Sequence, residues 1–263
     1  MSQNQNKRVS SRERLQELHR VEKAAAKRRQ RIVVAVSSVA VLALIGGVTL
    51  AITSAKKDDK PTAASALVIP ANATGDGGTV ITLGKADAPH TMEVYEDFRC
   101  PVCKHFEAAN GATTAKLTED GQIKVDYHLA AFLDKNLTGK GSHYALAAAG
   151  AALNEGVDKF KAFHDVLYAN QPDEREDGFG DVNHLLDLAG QVPGLKTDAF
   201  VKAVQDGTYL PWANKVAEKF NDSGVTGTPT VKVDGKPISL FAGNAVVSPE
   251  QFTAQVKQAA GLQ

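Results

Sequence analysis

Residues 32–53 read IVVAVSSVAVLALIGGVTLAIT, 22 consecutive positions without a charge. At about 1.5 Å per helical residue such a run reaches roughly 30 Å, the thickness of a bilayer's hydrocarbon core. A single N-terminal transmembrane helix is therefore expected, and it divides the chain in two. Residues 1–31 hold ten Lys/Arg against three Asp/Glu, with Lys27, Arg28, Arg29 and Arg31 crowded at the edge of the run. The positive-inside rule places that basic segment in the cytoplasm and the C-terminal part outside, as a single-pass protein of the cell membrane. On the far side, Lys56, Lys57 and Lys60 are diluted by Asp58 and Asp59. A cleaved signal peptide is the alternative, with Thr53-Ser54-Ala55 as its cleavage site. Against it stand an apolar run longer than the usual 7–15 residues and a 31-residue leader.

Beyond the run, residues 32–263 hold 20 Lys/Arg against 27 Asp/Glu, a net of −7. An acidic surface argues against nucleic acid as a partner. Residues 54–77 are small, polar and broken by two prolines, the composition of a linker. The rest, 78–263, suffices for one sizeable core. Thr79–Leu83 and Thr91–Tyr95 are expected as strands, and Ile123–Leu129 alternates apolar residues at every second position. Pro101 suits the first turn of a helix, which should run to about Glu119 and stop at Gly121. Residues 142–220 are expected to be wholly helical, with stripes such as Phe160, Phe163, Leu167 and Trp212, Val216, Phe220. Thr230–Val233 returns to strand character. Asp234-Gly235 is a strong hairpin turn, and Pro237–Phe241 is its expected return strand. Ser248-Pro249-Glu250-Gln251 has the form of a capping box opening a last helix to Gly261. The order β, β, α, β, helical block, β, β, α fits an α/β fold.

The chain has two cysteines, spaced as Cys100-Pro101-Val102-Cys103. A structural bridge gains stability by closing a long loop, and this one closes almost nothing. A pair at a helix start suits a disulfide that is made and broken. Cys100 falls where free amides and the helix dipole stabilise a thiolate. Cys103, one turn in, is the resolving thiol. If the Cys100 pKa fell from about 8.5 to about 5, the reduced form would gain roughly 2.7 kcal/mol at pH 7, or about 60 mV of potential. Zinc would need about four ligands, and His105 offers at most a third, so no metal site is expected. Glu107 follows Cys103 by four residues and shares its helix face. It is either a group that takes and returns the Cys103 proton or a solvated helix glutamate. Glu96 and Asp97 either tune the site or are rim charges. The other histidines have no metal-ligand spacing and are assigned to surface or core.

Glu96–Cys103, followed by Val225-Thr226-Gly227-Thr228-Pro229-Thr230, resembles the DsbA-like branch of the thioredoxin superfamily. Phe160–Pro172 is similar to that branch's helical insert. More narrowly, the chain resembles the membrane-anchored DsbA-like proteins of Gram-positive and actinobacterial type, over about residues 78–260. The resemblance implies a thioredoxin fold interrupted by the helices of 142–220. It implies a cis Thr228–Pro229 peptide that aims the Thr228 backbone at a substrate chain beside the disulfide. It also implies an acidic residue at the offset of Glu107. Strongly oxidising members carry His between the cysteines. Here Val102 offers neither charge nor hydrogen bond, so full oxidising strength is not implied; Pro101 and Val102 are the expected tuning positions.

The function expected from all this is disulfide formation in exported proteins by dithiol–disulfide exchange. No cofactor is needed beyond the redox-active Cys100–Cys103 disulfide. The expected partners are exported proteins with free thiols and, because one anchor helix has no quinone chemistry, a separate membrane oxidase for recycling. Two alternatives stay open. One is a tethered reductant, for example in cytochrome maturation. The other is a non-catalytic chaperone or assembly module.

Overall fold

The computed structural model describes residues 66–243 and 245–262. The expected basic segment, anchor run and first part of the linker lie outside the described residues. Among the described residues no helix is long and apolar enough to cross a membrane.

A five-stranded sheet carries the site. Its strands are β1 (Ile81–Leu83), β2 (His90–Asp97), β3 (Ile123–Ala130), β4 (Thr230–Val233) and β5 (Lys236–Pro237), in the order β1-β3-β2-β4-β5. Only β2 and β3 run parallel; the other neighbours are antiparallel. The alternation in β3 does what it promised. Ile123, Val125, Tyr127 and Leu129 are buried, while Lys124, Asp126 and His128 on the other face are half-exposed. Strand β2 changes along its length. Its last four residues, including Glu96 and Asp97, are all buried, so the strand drives polar groups into the interior just before the cysteines.

Helix α1 (Pro101–Glu119) follows at once. Its buried residues Cys103, Phe106, Glu107, Asn110, Gly111 and Thr114 recur at helical spacing and form one face. Between β3 and β4 every regular element among the described residues is helical. These are α2 (Leu133–Leu137), α3 (Gly141–Glu155), α4 (Val157–Ala169), a 3-10 turn at Gly178–Gly180, α5 (Val182–Ala189), α6 (Asp198–Gln205) and α7 (Leu210–Asn221). The alanines of α3 let it sit at the centre of this block. Gly150 is required there, because a Cβ would fall 2.6 Å from Cζ3 of Trp212. Thr197 caps α6 by accepting from Phe200 N at 3.0 Å. The last helix, α8 (Pro249–Ala260), has the expected capping box and ends on Gly261 in the left-handed region.

Two expectations need correction. The folded part starts earlier than Gly78. Pro70 is buried, Asn72 Nδ2 donates to Leu153 O at 2.8 Å, and Thr74 bridges Val80. The linker's last residues have found partners for their backbone. The return strand Pro237–Phe241 is also not continuous. Asp234 and Gly235 turn with positive φ as expected, but β5 ends at Pro237. Ile238 N still donates to Val231 O of β4 at 2.9 Å, and the chain then leaves the sheet. Phe241–Ala242 and Ala245–Val246, β6 and β7, instead pair with each other as a separate hairpin.

Candidate active site

Cys100 is the last residue before α1, in extended conformation, with its amide donating to Asp97 O at 2.8 Å. Both thiols are free and buried. The two sulfurs are not equivalent. A side-chain hydrogen bond with Cys103 lowers the Cys100 pKa to about 7 against the opposing effect of burial; Thr228 and the amides of Val102 and Cys103 add to the lowering. Cys103 has no exposed surface and is pushed well above the ordinary thiol value, first by burial and then by its bond to Cys100. One sulfur is set up as the nucleophile and the other as its reserve. Burial explains why Cys100 stays near 7 and does not reach the about 5 considered above.

Thr228–Pro229 is a cis peptide, and the Cys100 thiol donates to Thr228 O at 3.4 Å. The Thr228 hydroxyl is buried without a partner of its own. Strand β4 begins only at Thr230, so the Thr228 backbone stays outside the ladder. Val102 is 37 % exposed beside the cysteines.

Glu107 is not a solvated glutamate: it is 9 % exposed, and neither carboxylate oxygen has a hydrogen-bond partner. Burial first, then the nearby Glu96 charge, raises its pKa to about 8. Glu96 and Asp97 are not rim charges either, since both are fully buried. Glu96 Oε2 lies 3.1 Å from His164 Nε2, an α4 side chain with no exposed surface. Glu96, Glu107 and His164 form the one cluster among the described residues whose possible ligand atoms all lie within 4.8 Å of one another. The imidazole, however, has both nitrogens turned to carboxylates, the second being 3.3 Å from Asp165 Oδ1. Burial would lower the His164 pKa, but the hydrogen bonds to Asp165 and Glu96 outweigh it and raise it to about 9, which favours the protonated ring.

Asp97 accepts from Arg99 N, Leu133 N and the Ser142 hydroxyl at 3.0, 3.1 and 2.6 Å. Burial nevertheless raises its pKa to about 6. Arg99, 3 % exposed, reaches Asp134 at 2.8 Å and Glu174 O at 2.9 Å. Gln171 Nε2 donates to Phe98 O at 2.7 Å and to Cys100 O at 3.0 Å. The helical block therefore grips the cysteine loop directly. Sequence reading missed the parts played by Arg99, Gln171 and His164. Gln171 lay within the stretch Phe160–Pro172, which offered a hint, but no local pattern marked its target.

Val102 offers a direct test of the site's electrostatics. Val102→His should lower the Cys100 pKa by about one unit from its present position, since a nearby opposite charge shifts a pKa by about 1–3. At pH 7 this stabilises the reduced form by about 1 kcal/mol, making the pair roughly 20 mV more oxidising. Thiolate absorbance against pH and equilibrium with glutathione measure both quantities. An unchanged or higher Cys100 pKa would show that residue 102 does not tune the sulfur.

The comparisons with known proteins agree with this geometry. The family model described as Thioredoxin matches residues 76–258. Disulfide bond formation protein D of Bacillus subtilis (strain 168) is 31% identical over 160 residues, 61% of this chain and 70% of that protein. Among solved structures, oxidised BdbD from Bacillus subtilis aligns with a TM-score of 0.57 at 26% identity, covering 68% of this chain and 92% of that one. The reduced disulfide bond oxidoreductase DsbG from Mycobacterium tuberculosis aligns with a TM-score of 0.56 at 28% identity, covering 68% and 83%. With a matched pair of unequal thiols on this fold, the chain belongs to the thioredoxin family, as one of its DsbA-like thiol–disulfide oxidoreductases.

Proposed function

We propose that this chain is a membrane-anchored disulfide oxidase working outside the cytoplasm, which passes the Cys100–Cys103 disulfide to exported proteins. The observation that carries the reading is the asymmetry of the two sulfurs across two residues, with Cys100 facing Thr228 and Cys103 enclosed. A substrate thiolate attacks Cys100 Sγ, and Cys103 leaves with the electron pair and receives a proton; Glu107, four residues on along the same helix, is its candidate donor. A second substrate thiolate then attacks the substrate sulfur of the mixed disulfide, and Cys100 leaves as a thiolate. Thr228 and Pro229 form the wall against which the substrate chain lies. A separate membrane oxidase restores the disulfide. The anchor and topology rest on the uncharged run 32–53 and its basic flank.

Val102 and a Cys100 pKa of about 7 favour a second reading as a reductant, because at pH 7 only about half of the thiol is ionised. One experiment addresses both direction and side. Reduced, unfolded ribonuclease is added outside wall-free cells carrying the full chain in its oxidised state. The expected result is recovery of ribonuclease disulfides, abolished by prior external protease. Reduction of a disulfide-bonded ribonuclease instead would establish the reductant, and activity resistant to protease would overturn the topology.

A further inference from the structure

Gln171 follows the end of α4 and is buried. Its amide nitrogen carries two N–H donors. They meet two backbone carbonyls of the cysteine loop, Phe98 O at 2.7 Å and Cys100 O at 3.0 Å. Two acceptors on one side settle which end of the amide faces the loop. The first carbonyl belongs to a peptide held at both ends, since Arg99 N donates to Asp97 Oδ1 at 3.0 Å. The second joins Cys100 to Pro101, which has no N–H of its own to be held. Its oxygen accepts from Lys104 N at 3.2 Å as well as from Gln171. Rotation about the Cα–C bond of Cys100 would strain both bonds together. Cys100 is thereby kept extended, at φ −75° and ψ 114°, with its sulfur 3.4 Å from Thr228 O. Gln171 is itself fixed from two sides. Its N–H donates to Tyr168 O at 3.3 Å in α4, and its carbonyl accepts from Lys104 Nζ at 3.2 Å. Side chain and backbone form a reciprocal tie between α4 and the first turn of α1.

We propose that Gln171 is a positioning residue for thiol–disulfide exchange: its amide locks the Phe98 and Cys100 carbonyls and so holds the Cys100 sulfur in the direction along which disulfide bonds form and break. It acts through the backbone of Cys100, from an element far along the chain. The inference needs only the exchange chemistry, and it holds for either direction of electron flow. Its consequence is that the helical block does more than cover the site. The block supplies the part that sets the aim of the nucleophile.

The test follows the reaction of the reduced full chain with glutathione disulfide across pH. Such a profile separates the Cys100 pKa from the rate constant of its thiolate, which is the plateau reached once the thiol is ionised. Gln171→Met keeps length and bulk and removes both donors. The plateau should fall about tenfold, because misplacing a reacting group by about 1 Å costs on the order of 10²-fold. Altered acidity gives the opposite sign. Losing donors beside the site raises the Cys100 pKa, and a raised pKa alone would lift the plateau about threefold per unit through greater nucleophilicity. Leu185→Ala is the comparator for lost stability. It opens a hole at a buried position of α5, and it should leave the plateau unchanged. Gln171→Ser, with a hydroxyl and room for a donating water, should give an intermediate plateau. A plateau for Gln171→Met that is unchanged or higher overturns the proposal, as does an equal fall in Leu185→Ala. Should Gln171→Met not fold, Gln171→Ser is held to the same criterion. Failure of both to fold would make the residue a requirement of folding, and that equally overturns the positioning role.

Discussion

Replacing Cys100 with serine is expected to lower exchange by on the order of 10³-fold or more, the usual scale of losing a covalent nucleophile. Cys103→Ser should behave differently. It retains the thiol lowered to about 7 and loses the one pushed well above the ordinary value. Such a protein attacks a substrate disulfide through Cys100, and with no second thiol of its own it cannot expel the substrate from the link. It should therefore accumulate covalent adducts with substrate, visible as bands that disappear on reduction. Cys100→Ser should give none, because Cys103 has no exposed surface from which to attack. Equal trapping by both variants would sink the assignment of roles. Full activity in a double Cys→Ser protein would move the chain from enzyme to assembly module.

The second large effect is on stability. Arg99→Ala should cost about 3–5 kcal/mol, the range for breaking a buried ion pair by removing one partner. The midpoint of thermal unfolding should fall by roughly 6–20 °C for a domain of this size. The loss is large because Arg99 and Asp134 are only 3% and 6% exposed, and Asp134 stays behind. Asp134 retains its bonds from His143 and the Ser142 and His143 amides at 2.8–2.9 Å, which sets the lower end of the range. The pH dependence has a definite sign. Burial would raise the Asp134 pKa, but the His143, Ser142 and Arg99 bonds outweigh it and depress it to about 2 from 3.8. Its contribution is thus present above about pH 3.8 and lost as pH falls through 2. The gap between wild type and variant should narrow over that acid window. A gap that widens in acid, or a loss under 1 kcal/mol at pH 7, would show that the network does not hold the site.

The parts of this molecule that sequence reading reached share a property: their cause lies within a few residues. Pro101 opens α1 because its missing N–H costs nothing there. Ser248 and Gln251 cap α8, and Asp234-Gly235 turns the hairpin by backbone preference alone. The apolar period of β3 is likewise local. What escaped is set by distance along the chain. His164 meets Glu96 across 68 positions and Arg99 meets Asp134 across 35. No local rule assigns a histidine in FKAFHDVLYANQP to a glutamate on another element. Glu107 was an intermediate case. Its offset from Cys103 put it on the right face, but whether that face was wet or dry depended on α4 closing over it. The return strand expected at Pro237–Phe241 rests on the turn before it; its pairing to β4 goes no further than Ile238, and Phe241–Ala242 pairs with Ala245–Val246 instead.

Cys100 shows only 6 % of its surface, with Thr228 on one side and the half-open Val102 on the other. A sulfur enclosed to this degree excludes blunt partners. To touch it, a protein must offer its own cysteine on a strip of chain slender enough to enter the gap. A cysteine already sealed in a finished core cannot do this, whereas one on an unfolded chain can. The enclosure of this one residue thereby sets a steric condition that any thiol must meet before chemistry begins.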